Sequence, residues 1–206
     1  MIGIIDYGMG NLRSVERALE AGGAVHRRVL QPADFAQTHG LVLPGVGAFG
    51  QAVANLKSQD LWDPLLTEIR QGKPLLGLCL GLQLLFETSE EFGAHQGLGI
   101  LRGQVHRMPP GTAVPHIGWN QVFPCREDPL FEGIPEGSHF YFLHSYIAEA
   151  TDESDVVAIC RYGTVSFPAV VQRGMIRAAQ FHPEKSQQVG LRFLANFVRY
   201  VRERND

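Results

Sequence analysis

The chain has 206 residues, of which 45% are hydrophobic and 19% charged, with a formal net charge of −3. That length supports one domain over residues 1–206, with a continuous core that needs neither disulfides nor metals. The composition excludes disorder and fibrous repeats, and the charge gives no field that would draw nucleic acid or a membrane surface. Three cysteines, Cys79, Cys125 and Cys160, are too few and too scattered for a disulfide framework or a four-ligand zinc site, which points to a reducing cytoplasm. Met1-Ile2-Gly3-Ile4-Ile5-Asp6 has no basic start and too short an apolar stretch for a signal peptide, so secretion is not expected. The longest apolar run, Leu75 to Phe86, is broken by Gly77, Gly81 and Gln83 and falls short of the ~20 residues that span a bilayer.

In chain order, Ile2 to Ile5 reads as a strand, Tyr7 to Asn11 as a turn, and the next segment as a helix. Leu12, Val15, Leu19 and Gly22 share one face of that helix, and Gly22-Gly23 ends it. Strands follow at Val25 to Val29 and Leu41 to Leu43. A helical stretch then runs from Ala48 through Ile69, broken near Ser58. Leu75 to Leu78 reads as a strand feeding a helix from about Leu80 to Glu87. Buried strands alternating with amphipathic helices predict a parallel sheet covered on both faces.

From about Gly97 the texture changes. Gln104 to His106, Gln121 to Phe123, Phe140 to Ala148, Val156 to Cys160, Val165 to Val171 and Ile176 to Gln180 read as strands between Gly, Pro and Asp turns. The second half is therefore expected to be richer in antiparallel strand. A last helix, about Gln188 to Arg202, carries Leu194, Phe197, Val198 and Val201 inward and Arg192, Arg199 and Arg202 largely outward.

Gly77-Leu78-Cys79-Leu80-Gly81 lies between a strand and a helix and has the form of a nucleophile elbow. Small residues two positions either side let strand and helix approach closely around a strained nucleophile. The positive end of the following helix would also favour thiolate over thiol. The pentapeptide alone admits a second reading, a cysteine that is simply a small buried hydrophobe. Cys125 and Cys160 have no elbow and read as structural.

A cysteine nucleophile needs a histidine to take and return its proton, and a third group to orient the ring. His182-Pro183-Glu184 follows an apolar strand, where active sites of α/β sheets gather. A metal-binding His-x-Glu of the zinc deaminase type lacks its Pro-Cys-x-x-Cys here. No metal or cofactor is expected. Gly45-Val46-Gly47 reads either as an oxyanion-hole loop, together with the Leu80 amide, or as a plain glycine turn. Gly8-Met9-Gly10 is not a dinucleotide fingerprint, because its third glycine falls on Arg13. The aromatic cluster Phe140, Tyr141, Phe142 and Tyr146 reads as alternating core and surface of a strand.

Taken together, the Cys79 elbow, His182-Pro183-Glu184 and Pro44-Gly45-Val46-Gly47 resemble the class I, or triad, glutamine amidotransferases. Within that family the likeness is to the glutaminase subunits of imidazole glycerol phosphate synthases. It runs through Asp6 to Asn11, Pro44 to Gly50, Pro115 to Asn120, His144-Ser145-Tyr146 and His182 to Ser186. The resemblance implies a flavodoxin-like doubly wound core with an added antiparallel β region, and glutamine as substrate. It implies that Cys79, His182 and Glu184 are catalytic and that Val46, Gly47 and Leu80 supply oxyanion contacts. Gly47, Gln83, Ser145 and Tyr146 would hold glutamine. It further implies a heterodimer with a cyclase subunit, a (β/α)8 barrel that uses the ammonia in histidine biosynthesis, docked through Asn11, Tyr141 and Lys185. Two other readings keep the same fold: a cysteine hydrolase of another small amide with no synthase partner, and a catalytically silent regulatory subunit.

Overall fold

A computed structural model describes residues 1–204; residues 205 and 206, the last two of the expected domain, lie outside the described residues. The first half runs β1 (Ile2–Ile5), α1 (Leu12–Ala21), β2 (His26–Val29), β3 (Gly40–Leu43), α2 (Phe49–Ser58), α3 (Trp62–Arg70), β4 (Leu75–Leu78) and the single turn α4 (Leu80–Gln83). The second half is mostly strand: β5 (Phe86–Ser89), β6 (His95–Gln96), β7 (Leu101–Arg107), β8 (His116–Pro124), β9 (His139–His144), β10 (Tyr146–Ala150), β11 (Val156–Tyr162), β12 (Val165–Arg173) and β13 (Ile176–Ala179). Helix α5 (Gln187–Arg202) follows them.

Nine strands form one sheet in the order β2-β1-β3-β4-β13-β12-β11-β8-β9. The first five are parallel, in the 2-1-3-4-5 order of flavodoxin-like folds, and the other four continue it antiparallel. A second sheet, β10-β7-β5-β6, sits beside it. Because residues alternate faces along a strand, the parallel strands feed two cores. Ile4, Val42, Leu76 and Leu78 pack with Val15 and Leu19 of α1 and Phe193, Leu194 and Phe197 of α5. Ile5, Leu41, Leu43 and Leu75 pack with Phe49, Ala52 and Leu56 of α2 and Leu65 and Ile69 of α3. Among the described residues no helix is long and apolar enough to cross a membrane.

Two sequence expectations need correction. The helix expected over Leu80 to Glu87 stops at Gln83, and the chain turns into β5. There the segment from Leu98 to Leu101 takes over the backbone, donating to the carbonyls of Leu84, Leu85 and Phe86. A short apolar run carries no periodicity that separates helix from strand, which is why β5 and β6 were not foreseen. The single strand expected over Phe140 to Ala148 is two, β9 in the large sheet and β10 in the small one, with Ser145 at the crossing. That crossing places Ser145 in a cleft rather than in a ladder.

Candidate active site

Three adjacent parallel strands, β3, β4 and β13, end side by side, and each delivers one loop of the site. β4 delivers Cys79, whose φ of 53° and ψ of −105° put a non-glycine residue in a sparsely populated backbone region. The turn is held by Cys79 N–H donating to the Ala179 carbonyl at 2.7 Å and by the Leu82 and Gln83 amides donating to the Cys79 carbonyl. A side chain at Gly81 would collide with the Leu43 carbonyl oxygen, and one at Gly77 would meet the Gly81 carbonyl at 2.7 Å. Both glycines thus have the role read from the pentapeptide. The helix after Cys79 is a single turn whose Leu80, Leu82 and Gln83 amides are all engaged, so the thiol does not face a full helix dipole. Cys79 is 6% exposed. Cys160 is also buried, and burial pushes its thiol up to about 12, whereas Cys125 is exposed.

β13 delivers His182 and Glu184. The His182 amide donates to the Tyr141 carbonyl at 2.8 Å, and Ser186 Oγ donates to the His182 carbonyl at 2.7 Å while accepting from the Tyr141 amide. These bonds clamp the loop on β9. His182 Nδ1 lies 2.8 Å from Glu184 Oε1, and both side chains are 3% exposed. The carboxylate can only accept, so Nδ1 carries the proton. Nε2 is buried with no hydrogen-bond partner. Burial works to neutralise the imidazole. The charge of the Cys79 sulfur and then Glu184, which bonds Nδ1, outweigh it and raise His182 to about 10.

β3 delivers Pro44-Gly45-Val46-Gly47. Buried Tyr7 donates its hydroxyl to the Pro44 carbonyl at 2.8 Å, and a side chain at Gly45 would meet that hydroxyl at 2.5 Å. Burial first, and the Cys79 charge second, raise the Tyr7 phenol, which keeps it a donor. The Leu80 amide makes a long hydrogen bond, 3.4 Å, to the Gly45 carbonyl. In this arrangement that donor is occupied. Val46 is 39% exposed beside it.

A cleft of about 150 Å³ opens over Cys79, lined by Val46, Gly47, Leu80, Gln83, Leu143, Ser145 and Tyr146 among others. This is a space for a small molecule rather than a dinucleotide. Gln83 Nε2 donates to the Tyr146 carbonyl at 3.0 Å. Two further lining residues, Glu91 and His144, were given no site role in the sequence, although His144 stands in the His144-Ser145-Tyr146 motif. Glu91 reaches the cleft from the β5–β6 hairpin and accepts from the Phe49 amide at 2.7 Å; with β5 unforeseen, nothing local could reveal it. His144 donates from Nδ1 to the Tyr146 carbonyl at 2.9 Å, since a carbonyl only accepts. Its Nε2 then accepts from His116 Nδ1 at 3.2 Å, and His116 Nε2 accepts from Asn120 at 3.3 Å. His116 stacks on Tyr162 and Phe142.

Near the cleft an apolar surface is exposed where β8 pairs with β9: Ile117 opposite Leu143, and Trp119 opposite Tyr141. Trp119 meets the Tyr141 ring edge to face at 6.0 Å, and Lys185 lies over the same ring at 5.8 Å. Tyr141 and Lys185 are therefore brought together. Asn11 caps α1 through Ser14 and reaches the same end of the fold because α1 packs on the Pro183–Lys185 turn.

A cysteine elbow with a buried histidine–carboxylate pair, on a flavodoxin-like sheet, defines a class of protein. The pattern of the glutamine amidotransferase class-I family matches residues 3–201, and the chain belongs to that family. Its relatives include the imidazole glycerol phosphate synthase subunit HisH of Desulfitobacterium hafniense (strain DSM 10664 / DCB-2), 49% identical over 206 residues, 98% of this chain and 96% of that one. The subunit HisH of Aquifex aeolicus (strain VF5) is 50% identical over 202 residues, 95% of each chain. In fold the chain is similar to the structure of PurLQS from Thermotoga maritima, with a TM-score of 0.75 at 18% identity over 100% of this chain and 98% of that one.

Proposed function

We propose that residues 1–206 act as one domain, the glutaminase subunit of an imidazole glycerol phosphate synthase in histidine biosynthesis. The observation that carries this reading is the left-handed Cys79 beside a His182–Glu184 pair, in a chain about half identical to HisH subunits. The Cys79 thiolate attacks the side-chain amide carbon of glutamine. His182, protonated on both nitrogens, gives its Nε2 proton to the departing nitrogen, and ammonia leaves a thioester behind. His182 then takes a proton from water, which attacks the thioester and releases glutamate and the thiolate. Glu184 holds the ring throughout.

Gln83, Gly47, Ser145 and Tyr146 hold glutamine, and the Glu91 carboxylate is placed to meet its α-ammonium group. The two tetrahedral oxyanions need donors from Leu80 and from Val46 or Gly47. With the Leu80 amide on the Gly45 carbonyl, the Gly45–Val46 peptide has to turn before those donors are free. Hydrolysis by the chain alone is accordingly slow. Ammonia in open water is protonated and lost as a nucleophile, so it passes to a cyclase subunit, a (β/α)8 barrel forming a heterodimer with this chain. The barrel docks on Trp119, Ile117, Tyr141 and Lys185, with Asn11 at the margin. Three unpaired cysteines fit a reducing compartment, and we place the protein in the cytoplasm.

A diazo-ketone analogue of glutamine tests the reading. It labels Cys79, as read by peptide mass spectrometry, and glutamine protects against the label. An unlabelled Cys79 in folded protein would instead favour a silent regulatory subunit. Labelling without glutamine protection would favour a hydrolase of another amide.

A further inference from the structure

Gln180 is fully buried, sits between the nucleophile and the glutamine-holding residues, and has no part in the reaction as described above. Its side-chain amide nitrogen lies 3.6 Å from Cys79 Sγ, within reach of an N–H···S hydrogen bond. The orientation of the amide follows from its neighbours. The Tyr146 carbonyl, which only accepts, fixes the NH2 end of Gln83 at 3.0 Å. The same Gln83 nitrogen lies 3.2 Å from Gln180 Oε1, so its second hydrogen goes there. With its oxygen accepting from Gln83, Gln180 presents its NH2 to the sulfur. The reversed amide would set two NH2 groups against each other and a carbonyl oxygen against the sulfur. Its backbone is equally fixed, by Gln180 N–H donating to the Ala169 carbonyl at 2.9 Å.

We propose that Gln180 is a catalytic residue: its side-chain amide donates to the Cys79 sulfur, stabilising the charged nucleophile and receiving it again as the leaving group of the thioester. A donor bonds a charged acceptor roughly twice as strongly as a neutral one. In the acylation half the bond favours forming the thiolate and weakens as its charge passes into the new S–C bond. In the deacylation half the order reverses. Water adds to the thioester, the S–C bond breaks, and the bond to Gln180 strengthens as the electron pair returns to sulfur. Gln83, which orients Gln180 while contacting the glutamine cleft, ties substrate binding to the state of the nucleophile.

The inference rests on the cysteine-nucleophile reading, and its test uses iodoacetamide, which does not require the glutamine site. Gln180→Met keeps the volume and removes the donor. Alkylation of Cys79 is followed by peptide mass spectrometry, with exposed Cys125 as the reference thiol in the same tube. At about pH 6 the Cys79 rate falls about tenfold relative to wild type, the loss of one hydrogen bond to a charged group. At about pH 9.5, where an ordinary thiol is already ionised, the rates agree within about twofold. A uniform slowing at both pH values, or no change at either, would overturn the proposal. A second measurement needs no variant at position 180. In the wild-type chain the Gln180 side-chain NH2 resonances move when Cys79 is alkylated, and unmoved resonances overturn the proposal independently of folding. Wild-type glutamate release is scored separately, so a protein that fails as a glutaminase still reports on Gln180.

Discussion

Acidification from about pH 7 to about pH 5 destabilises the fold through the buried His116–His144 pair. Burial lowers His116 to about 4, and burial first, then the charges of His116 and His182, lower His144 to about 3 despite its bond to the Tyr146 carbonyl. In the unfolded chain both titrate near the ordinary 6.5. The unfolded state therefore binds protons that the folded state refuses, so this stability is present above pH 6.5 and is lost as pH falls towards 4 and 3. Linkage gives a loss of about 2 kcal/mol for each ring between pH 7 and pH 5. His182, raised to about 10, has the opposite sign: its contribution is complete below 6.5 and is lost as pH rises through 10. It returns somewhat under about 1 kcal/mol over the same interval, leaving a net loss of about 3 kcal/mol. Urea unfolding at the two pH values measures this. His116→Phe keeps the stacking on Tyr162 and Phe142 and removes one titrating ring, so its loss is smaller by about 2 kcal/mol. An equal loss in variant and wild type would refute the linkage reasoning.

Other outcomes follow from single contacts. Gly81→Ala forces a methyl group into the Leu43 carbonyl and opens the elbow, so the variant accumulates little folded protein; wild-type unfolding curves would contradict the packing described. Asp128 holds the buried Arg177 through Nε at 3.1 and 2.9 Å, the guanidinium lies 4.1 Å over the Tyr200 ring, and Nη1 has no hydrogen-bond partner. Asp128→Ala strands that charge and costs about 3–5 kcal/mol in denaturant unfolding, where a cost under about 1 kcal/mol would contradict it. Trp119→Ala leaves iodoacetamide labelling of Cys79 unchanged but weakens binding of the cyclase about thirtyfold, as loss of an aromatic anchor does. Unchanged affinity by calorimetry would move the docking face elsewhere.

Much of the candidate site was legible because its residues are grouped locally in sequence. Gly77-x-Cys79-x-Gly81 needs both glycines for steric reasons that any strand-to-helix elbow shares, and His182 and Glu184 are two residues apart. Three strands of the parallel half, β1, β3 and β4, were legible too, since they are short, wholly apolar and followed or preceded by amphipathic helices. What escaped depends on contacts distant in the chain. Residues 97–101 end α4 early, β9 and β10 part at Ser145, and Glu91 reaches the cleft only because β5 and β6 form. The His116–His144 bond joins residues 28 apart, and the Gln180–Cys79 contact joins residues 101 apart. No periodicity encodes either.

The most direct test of the account is glutamate release from glutamine by the purified chain, measured alone and with a cyclase subunit carrying its nucleotide ligand, with Cys79→Ala as control. The account predicts slow release alone, a marked rise with the loaded partner, and loss of both in Cys79→Ala. Release that survives in Cys79→Ala, or none in any state from folded protein, would contradict it.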